Sequence, residues 1–177
     1  DIDGSPLVFE SGDQDGIMVP TDRDLIPLPW VSGDAHLDLR TMQHDNGTPF
    51  AGDPRVALGS VLGEFEARGW QVIAACELEF FLLEDGGNLV PPINPKTGRR
   101  LSSTEVLSLR ELDSFDAFFD DITNSAEVMR LGNLAITAEA GVGQFEVTMK
   151  HGPALHIADN VILLKELIKG TARNHGM

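Results

Sequence analysis

The sequence has little cysteine and few basic residues, and both shortages limit what the protein can be. Its one cysteine, Cys76, cannot form an internal disulfide, so we expect a reducing, cytoplasmic compartment. Lys and Arg together number 13 against 28 Asp and Glu, which gives a formal net charge of −15. Because binding to a phosphate backbone requires clustered basic side chains, we expect no nucleic-acid partner.

Long apolar runs are also missing. None approaches the roughly 20 residues needed to cross a bilayer, and no stretch resembles a signal peptide, so we expect no membrane association. The 177 residues, 42% of them hydrophobic, suffice for one substantial core or two small ones. The chain begins at Asp1 rather than at an initiator and stops directly after "ARNHGM", and we interpret it as a fragment.

The first fifty residues have the pattern of short strands between turns. "PLVFE", "GIMVP" and "HLDLRTM" alternate with Gly, Asp and Pro clusters. A helix is predicted next, with Asp53 as N-cap and Pro54 at its first position. Its apolar positions recur at helical spacing, which predicts an apolar stripe of Leu58, Val61, Leu62 and Phe65.

The remaining chain is predicted to alternate strands and helices. "WQVIAACELEFFLLE" has the pattern of one long strand, and "NLAITAE" and "GQFEVTM" that of a hairpin around Gly141 and Gly143. A helix beginning near Asp113 should bury Phe115, Phe118, Phe119, Ile122, Ala126 and Met129. A last helix from Pro153 should bury Ala154, Ala158, Val161, Leu164, Ile168 and Ala172. This order predicts a mixed α/β (α+β) layered fold.

Four glutamates stand out on the predicted strands. Glu77 and Glu79 are two residues apart, so their side chains share one strand face while their neighbours face the core. A four-residue hairpin loop would pair Glu139 with Gln144, which places Glu146 diagonally across from Glu139, about 7–8 Å away. The two acidic pairs converge if their strands are neighbours in one sheet.

Two interpretations of these carboxylates remain open at this point. Spacing alone favours a solvated sheet face, because Glu-x-Glu is common on strands. The other interpretation is a divalent-cation site, because clustered carboxylates repel one another and provide the hard oxygen ligands that Mg²⁺ and Mn²⁺ prefer.

Several motifs, in order, resemble the glutamine synthetase family. They are "PFAGDPRVAL", "CELEFFLLE", "EAGVGQFEV" and "LLKELIKGTARNHGM". A narrower likeness, in "PPINPKTGRR", "LDSFDAFFDDI" and "KHGPALHIAD", is to the γ-glutamylpolyamine synthetase branch. The resemblance implies that residues 1–50 end a β-grasp-like N-terminal domain and that residues 51–177 begin the catalytic α/β domain.

The resemblance also implies a reaction. Such enzymes are ATP-dependent ligases that convert glutamate to γ-glutamyl phosphate, which ammonia or an amine then attacks. ATP is the co-substrate, Mg²⁺ or Mn²⁺ the metal, ammonia or a polyamine the acceptor, and a large homo-oligomeric ring the assembly. The expected setting is glutamine biosynthesis or polyamine-linked nitrogen metabolism.

By matching positions, the resemblance assigns roles to the glutamates. Glu79, Glu139 and Glu146 would hold one ion, with Glu79 near the glutamate substrate, and Glu77 would contribute to a second ion near the nucleotide. The family often has His-His where this chain has Thr137 and Ala138, so the nucleotide and substrate contacts there are in doubt.

No complete catalytic set is expected within the chain. The resemblance implies that the histidine ligand, the last carboxylate ligand and the substrate arginines follow Met177, and it assigns no nucleotide-binding residue here. We therefore expect the chain alone to be inactive. The alternative is a non-catalytic acidic metal-binding or interaction domain on the same scaffold.

Overall fold

The chain has nine strands and four helices within residues 16–86 and 88–177, which are the residues that the computed structural model describes. The predicted strand "PLVFE" lies outside these ranges. The described residues divide into two compact units, one of residues 16–26 with His36–Val72 and one of Pro27–Ala35 with Ile73–Met177. The predicted mixed α/β class is confirmed, and the predicted domain boundary between residues 50 and 51 stays a prediction.

The first unit is built on a two-stranded antiparallel sheet and one helix. Strands β1 (Ile17–Pro20) and β4 (Arg40–Gln43) pair, and helix α1 (Pro54–Glu66) follows. Two short strands, β2 (Ile26–Pro27) and β3 (His36–Leu37), come between them in sequence. "HLDLRTM" is therefore two strands, β3 and β4, rather than one.

Asp53 joins β4 to α1, as its predicted N-cap role requires. Its Oδ1 accepts from the backbone N–H groups of Arg55 (2.8 Å) and Val56 (3.4 Å). Its Oδ2 accepts from the Thr41 hydroxyl at 2.7 Å and from the Met42 N–H at 2.8 Å. Burial acts to raise the pKa of Asp53, but these hydrogen bonds together hold that pKa below its ordinary value.

The apolar stripe predicted for α1 is not buried among the described residues. None of the helix's residues is buried: Val61 is 53% exposed and Phe65 is 38% exposed, and Leu58 and Leu62 are half-buried. The helical spacing makes one face apolar, but a pattern within one helix does not provide an element to cover that face.

The second unit is organised around a three-stranded antiparallel sheet. Its strands are β6 (Glu77–Phe81), β7 (Leu134–Ala138) and β8 (Gln144–Met149), with β8 in the centre. Alternate β8 residues, Phe145, Val147 and Met149, are buried. The Phe145 ring lies 5.0 Å from that of Phe119 and 5.5 Å from that of Phe115, so β8 packs on the helical layer.

The predicted long strand "WQVIAACELEFFLLE" is wrong, because the chain changes partner within it. Strand β5 (Ile73–Ala74) pairs with β9 (Gly152–Pro153), whereas β6 pairs with β8. The two residues between β5 and β6 carry the chain from one partner strand to the other. Apolar content continues across this break, so the sequence pattern hides it.

Two consecutive helices replace the single one predicted from Asp113. Helix α2 (Leu109–Ser114) and helix α3 (Asp116–Val128) meet at Phe115, whose φ of −114° and ψ of 25° are not helical. The predicted apolar face is confirmed, since all six of its residues are buried: Phe115, Phe118, Phe119, Ile122, Ala126 and Met129.

Helix α4 (Ala154–Asn174) packs on α3, and its buried face is rotated from the predicted one. Leu164 and Ile168 are buried as predicted, but Leu163 and Leu167 are buried too. The predicted positions Ala154, Ala158, Val161 and Ala172 are half-buried. No helix within the described ranges is long and apolar enough to cross a membrane.

Candidate functional site

Glu79 and Glu146 lie directly opposite each other on the antiparallel strands β6 and β8. Directly opposed residues in such a pair have Cβ atoms about 4.5–5.5 Å apart. Glu79 is exposed and Glu146 is half-buried, and both project away from the face that carries Phe145. The sheet therefore brings together one glutamate from each of the two predicted acidic pairs.

The other two predicted glutamates flank this pair. Glu77 is exposed, two residues before Glu79, and lies opposite Thr148. Glu139 follows β7, and its backbone N–H donates to the carbonyl oxygen of Gln144 at 2.9 Å. The predicted pairing of Glu139 with Gln144 is thereby confirmed, and it places Glu139 diagonally across from Glu146.

The hairpin turn is a tight backbone loop with a required glycine. The Gln144 N–H donates to the Gly141 carbonyl at 3.0 Å, and Gly143 has a φ of +72°. The Gly143 carbonyl accepts from the Leu82 N–H at 2.9 Å, which joins the turn to the end of β6. The turn thus fixes the register that places Glu139, Gln144 and Glu146 on one face.

Two neutral side chains hold the central carboxylates. The Gln144 Nε2 donates to Glu79 Oε2 at 2.7 Å, and the Thr148 hydroxyl donates to Glu146 Oε1 at 2.7 Å. The sequence pattern predicts the pairing of Gln144 with Glu139 but no hydrogen bond from Gln144 or Thr148 to a glutamate side chain. The available signal was their position, because Gln144, Glu146 and Thr148 alternate along one strand and so share a face.

The face has acidic and neutral side chains and no basic ones. The described strand positions on this side, which β6, β7 and β8 contribute, include no Lys, Arg or His. No three Asp, Glu, His or Cys side chains within residues 16–86 and 88–177 lie close enough together to hold a metal ion. The donor chemistry fits a divalent cation, while the side chains of Glu79 and Glu146 are turned to Gln144 and Thr148.

The structure distinguishes the two positions where the resemblance leads one to expect histidines. Thr137 lies directly opposite Glu146 on β7, on the glutamate face. Ala138 is fully buried in the core, opposite Phe145. Only Thr137 is therefore placed to affect what binds beside Glu146.

Arg100 ends the proline-rich segment "PPINPKTGRR" and makes its contacts within the second unit. Its guanidinium pairs with Glu84 at 2.9 Å and donates to the Pro91 carbonyl at 2.5 Å. These contacts hold the segment against Glu84, which lies three residues after the end of β6. Arg100 pairs with Glu84 rather than with any of the four candidate glutamates.

The second unit has an antiparallel sheet with helices on one side and an acidic face on the other. The class of this chain is therefore a mixed α/β protein with a carboxylate-rich sheet surface. A family model described as "Glutamine synthetase, catalytic domain" matches residues 51–177. The chain belongs to the glutamine synthetase family.

The relatives include enzymes named for different amines. The chain is 32% identical over 181 residues to gamma-glutamylputrescine synthetase PuuA of Escherichia coli strain K12, a match that covers 99% of this chain and 38% of that protein. It is 30% identical over 173 residues to a glutamate–isopropylamine ligase of a Pseudomonas species, with 96% and 37% covered. It is 29% identical over 182 residues to the glutamine synthetase of Clostridium saccharobutylicum, with 99% and 38% covered.

A solved structure of a GmaS/ADP complex has a similar fold. It superposes with a TM-score of 0.81 at 26% identity and covers 96% of this chain and 38% of the other. The chain thus spans about 38% of the length of these relatives.

Proposed function

We propose that this chain supplies the cation-binding and glutamate-binding sheet face of an ATP-dependent ligase. The reaction joins glutamate to ammonia or an amine through γ-glutamyl phosphate, and the metal is Mg²⁺ or Mn²⁺. The observation that supports this most strongly is the direct opposition of Glu79 and Glu146 on a face without basic side chains. Opposed carboxylates repel each other unless a cation lies between or beside them.

The four glutamates have distinct proposed roles. Glu79, Glu139 and Glu146 would hold one ion beside the glutamate substrate once their side chains turn toward one another, and Glu77 would contribute to a second ion beside the nucleotide phosphates. Each ion, when bound, neutralises charge on phosphate oxygens during phosphoryl transfer. Glu79 would keep its hydrogen bond from Gln144 at one carboxylate oxygen and would offer the other oxygen to the ion.

The names of the relatives support ammonia or an amine as the acceptor. Their names include putrescine, isopropylamine and the ammonia-derived product glutamine. We propose the same acceptor class here, together with a cytoplasmic location and a homo-oligomeric ring. We also propose that the 177-residue chain alone has no synthetase activity. Phosphate release dependent on both glutamate and an amine would contradict this last proposal.

Calorimetric titration with Mn²⁺ tests the metal site on the chain itself. We expect the double variant Glu79→Gln, Glu146→Gln to bind Mn²⁺ at least about tenfold more weakly than the wild type, because it loses two carboxylate ligands. A matched control is Glu64→Gln with Glu66→Gln, which removes the same two charges from exposed positions of α1.

The control variant should bind within about twofold of the wild type. If both double variants lose affinity equally, binding depends on net charge rather than on the sheet face. If the Glu79, Glu146 variant retains wild-type affinity, the proposed site is wrong.

A further inference from the structure

Gln144 connects the hairpin turn to Glu79 through both ends of its amide. Its Oε1 accepts from the Gly141 backbone N–H at 2.8 Å, and its Nε2 donates to Glu79 Oε2 at 2.7 Å. The backbone N–H of the turn thereby fixes which end of the amide points to the carboxylate. Gln144 is consequently a hydrogen-bond donor of fixed orientation beside an exposed glutamate.

The turn is shaped to allow this contact. A Cβ atom at Gly141 would lie 2.8 Å from the Gln144 Oε1 and 2.5 Å from the Phe81 ring, closer than real Cβ contacts. Glycine at position 141 therefore leaves room for the amide to reach the turn. Phe81 also lies directly opposite Gln144 on β6 and borders the amide on that side.

We propose that Gln144 is a positioning residue that orients the Glu79 carboxylate for cation binding. This inference rests on the proposed function, since it concerns the ion that Glu79 would hold. The amide donates to Oε2 of Glu79, and we assign the cation to Oε1, the oxygen that does not accept this hydrogen bond. Because the amide is neutral, it orients the carboxylate without adding a further negative charge to the acidic face.

Gln144 does not itself contact the ion or the substrate in this proposal. Its effect is like that of hydrogen-bond partners around metal ligands generally, whose loss weakens metal affinity by about 10- to 100-fold. A residue that only closed the hairpin would affect folding stability, and its loss would leave metal affinity in the folded chain unchanged.

The variant Gln144→Met tests the difference, because methionine has a similar length and neither hydrogen-bonding group. We expect its Mn²⁺ affinity, measured by calorimetry on the folded chain, to fall about tenfold or more. Gly141→Ala should change affinity in the same direction, because its Cβ displaces the amide. The matched control is Gln71→Met at an exposed position in the other unit, with affinity within about twofold of the wild type.

A metal-free measurement completes the test. In ¹H–¹⁵N spectra we expect the Gln144 side-chain amide signals to shift on Glu79→Ala and to stay in place on Glu77→Ala. Gln144 side-chain signals that do not shift on Glu79→Ala would overturn this inference and leave the proposed function standing. A Gln144→Met variant that binds Mn²⁺ as tightly as the wild type does would have the same consequence. A wild-type chain that binds no Mn²⁺ would overturn the proposed function and this inference with it.

Discussion

Glu79 and Glu146 are direct cross-strand partners, and each accepts a hydrogen bond from a neutral side chain on the central strand. The face that carries them is the reverse of the phenylalanine core, because side chains alternate along β8 between Phe145 and Glu146. The same strand therefore builds the core and presents the acidic face. The buried side chains of β8 stabilise the sheet, and they thereby offset the repulsion between the opposed carboxylates on its other face.

Neutralising one member of the opposed pair should stabilise the metal-free chain. Like charges directly opposite in a sheet are destabilising by roughly 0.2–1 kcal/mol. We therefore expect Glu79→Gln to raise the free energy of unfolding by about that amount in urea denaturation with a chelator present. The new amide oxygen can still accept from Gln144.

Glu77→Gln is the matched control for this prediction. It removes one charge from the same strand and face, but its partner across the sheet is the neutral Thr148. Its effect should be smaller than that of Glu79→Gln. Equal effects would show that net charge, rather than the opposed pair, determines the stability change.

Replacing Gly143 should destabilise the hairpin that sets the register of the site. Its φ of +72° is unfavourable for a residue with a Cβ, and that Cβ would lie 3.1 Å from the Leu82 carbonyl oxygen. We expect Gly143→Ala to cost about 1–2 kcal/mol of unfolding free energy. Thermal or urea denaturation followed by circular dichroism measures this cost.

The control for Gly143 is a glycine in a helix. A Cβ at Gly63 in α1 meets no atom within 4 Å, so Gly63→Ala should stabilise the helix by about 0.5–1 kcal/mol. A Gly143→Ala variant as stable as the wild type would contradict the structure of the turn.

Asp53 should make the stability of the first unit depend on acid pH. Because its pKa is lowered in the folded chain, its charged form contributes stability above the unfolded pKa of about 3.9. That contribution is lost as the pH falls through the lower folded pKa. We expect Asp53→Asn to be less stable than the wild type at pH 6.

The difference between Asp53→Asn and the wild type should shrink below about pH 4, where the aspartate itself becomes protonated. Asparagine is also a good N-cap, so this variant separates the charge from the capping acceptor. Urea midpoints measured across this range test the sign. A difference that does not change with pH would contradict the hydrogen-bonded carboxylate described here.

The parts of the fold that follow from local chemistry could be predicted from the sequence. Asp53 is a helix cap because a short carboxylate before Pro54 meets free backbone N–H groups. The hairpin register follows from the loop length between Glu139 and Gln144. The buried phenylalanines of α2 and α3 follow from their helical spacing.

The parts that depend on a distant partner could not be predicted. The break between β5 and β6 occurs because one part of the apolar run pairs with β9 and the other part pairs with β8. No residue within the run indicates where the pairing changes. The bond from Gln144 to Glu79 joins residues 65 positions apart. Strand alternation places Gln144 on the correct face, but only the assembled sheet brings its amide to Glu79.

The central claim, that the sheet face of Glu79 and Glu146 holds a divalent cation, is tested most directly by paramagnetic broadening. Substoichiometric Mn²⁺ added to the ¹⁵N-labelled chain broadens signals near the bound ion. We predict that residues of β6 and β8 around Glu79 and Glu146 lose intensity first. Broadening that begins instead at the exposed aspartates of α3, Asp116, Asp120 and Asp121, or that spreads uniformly over the chain, would contradict the claim.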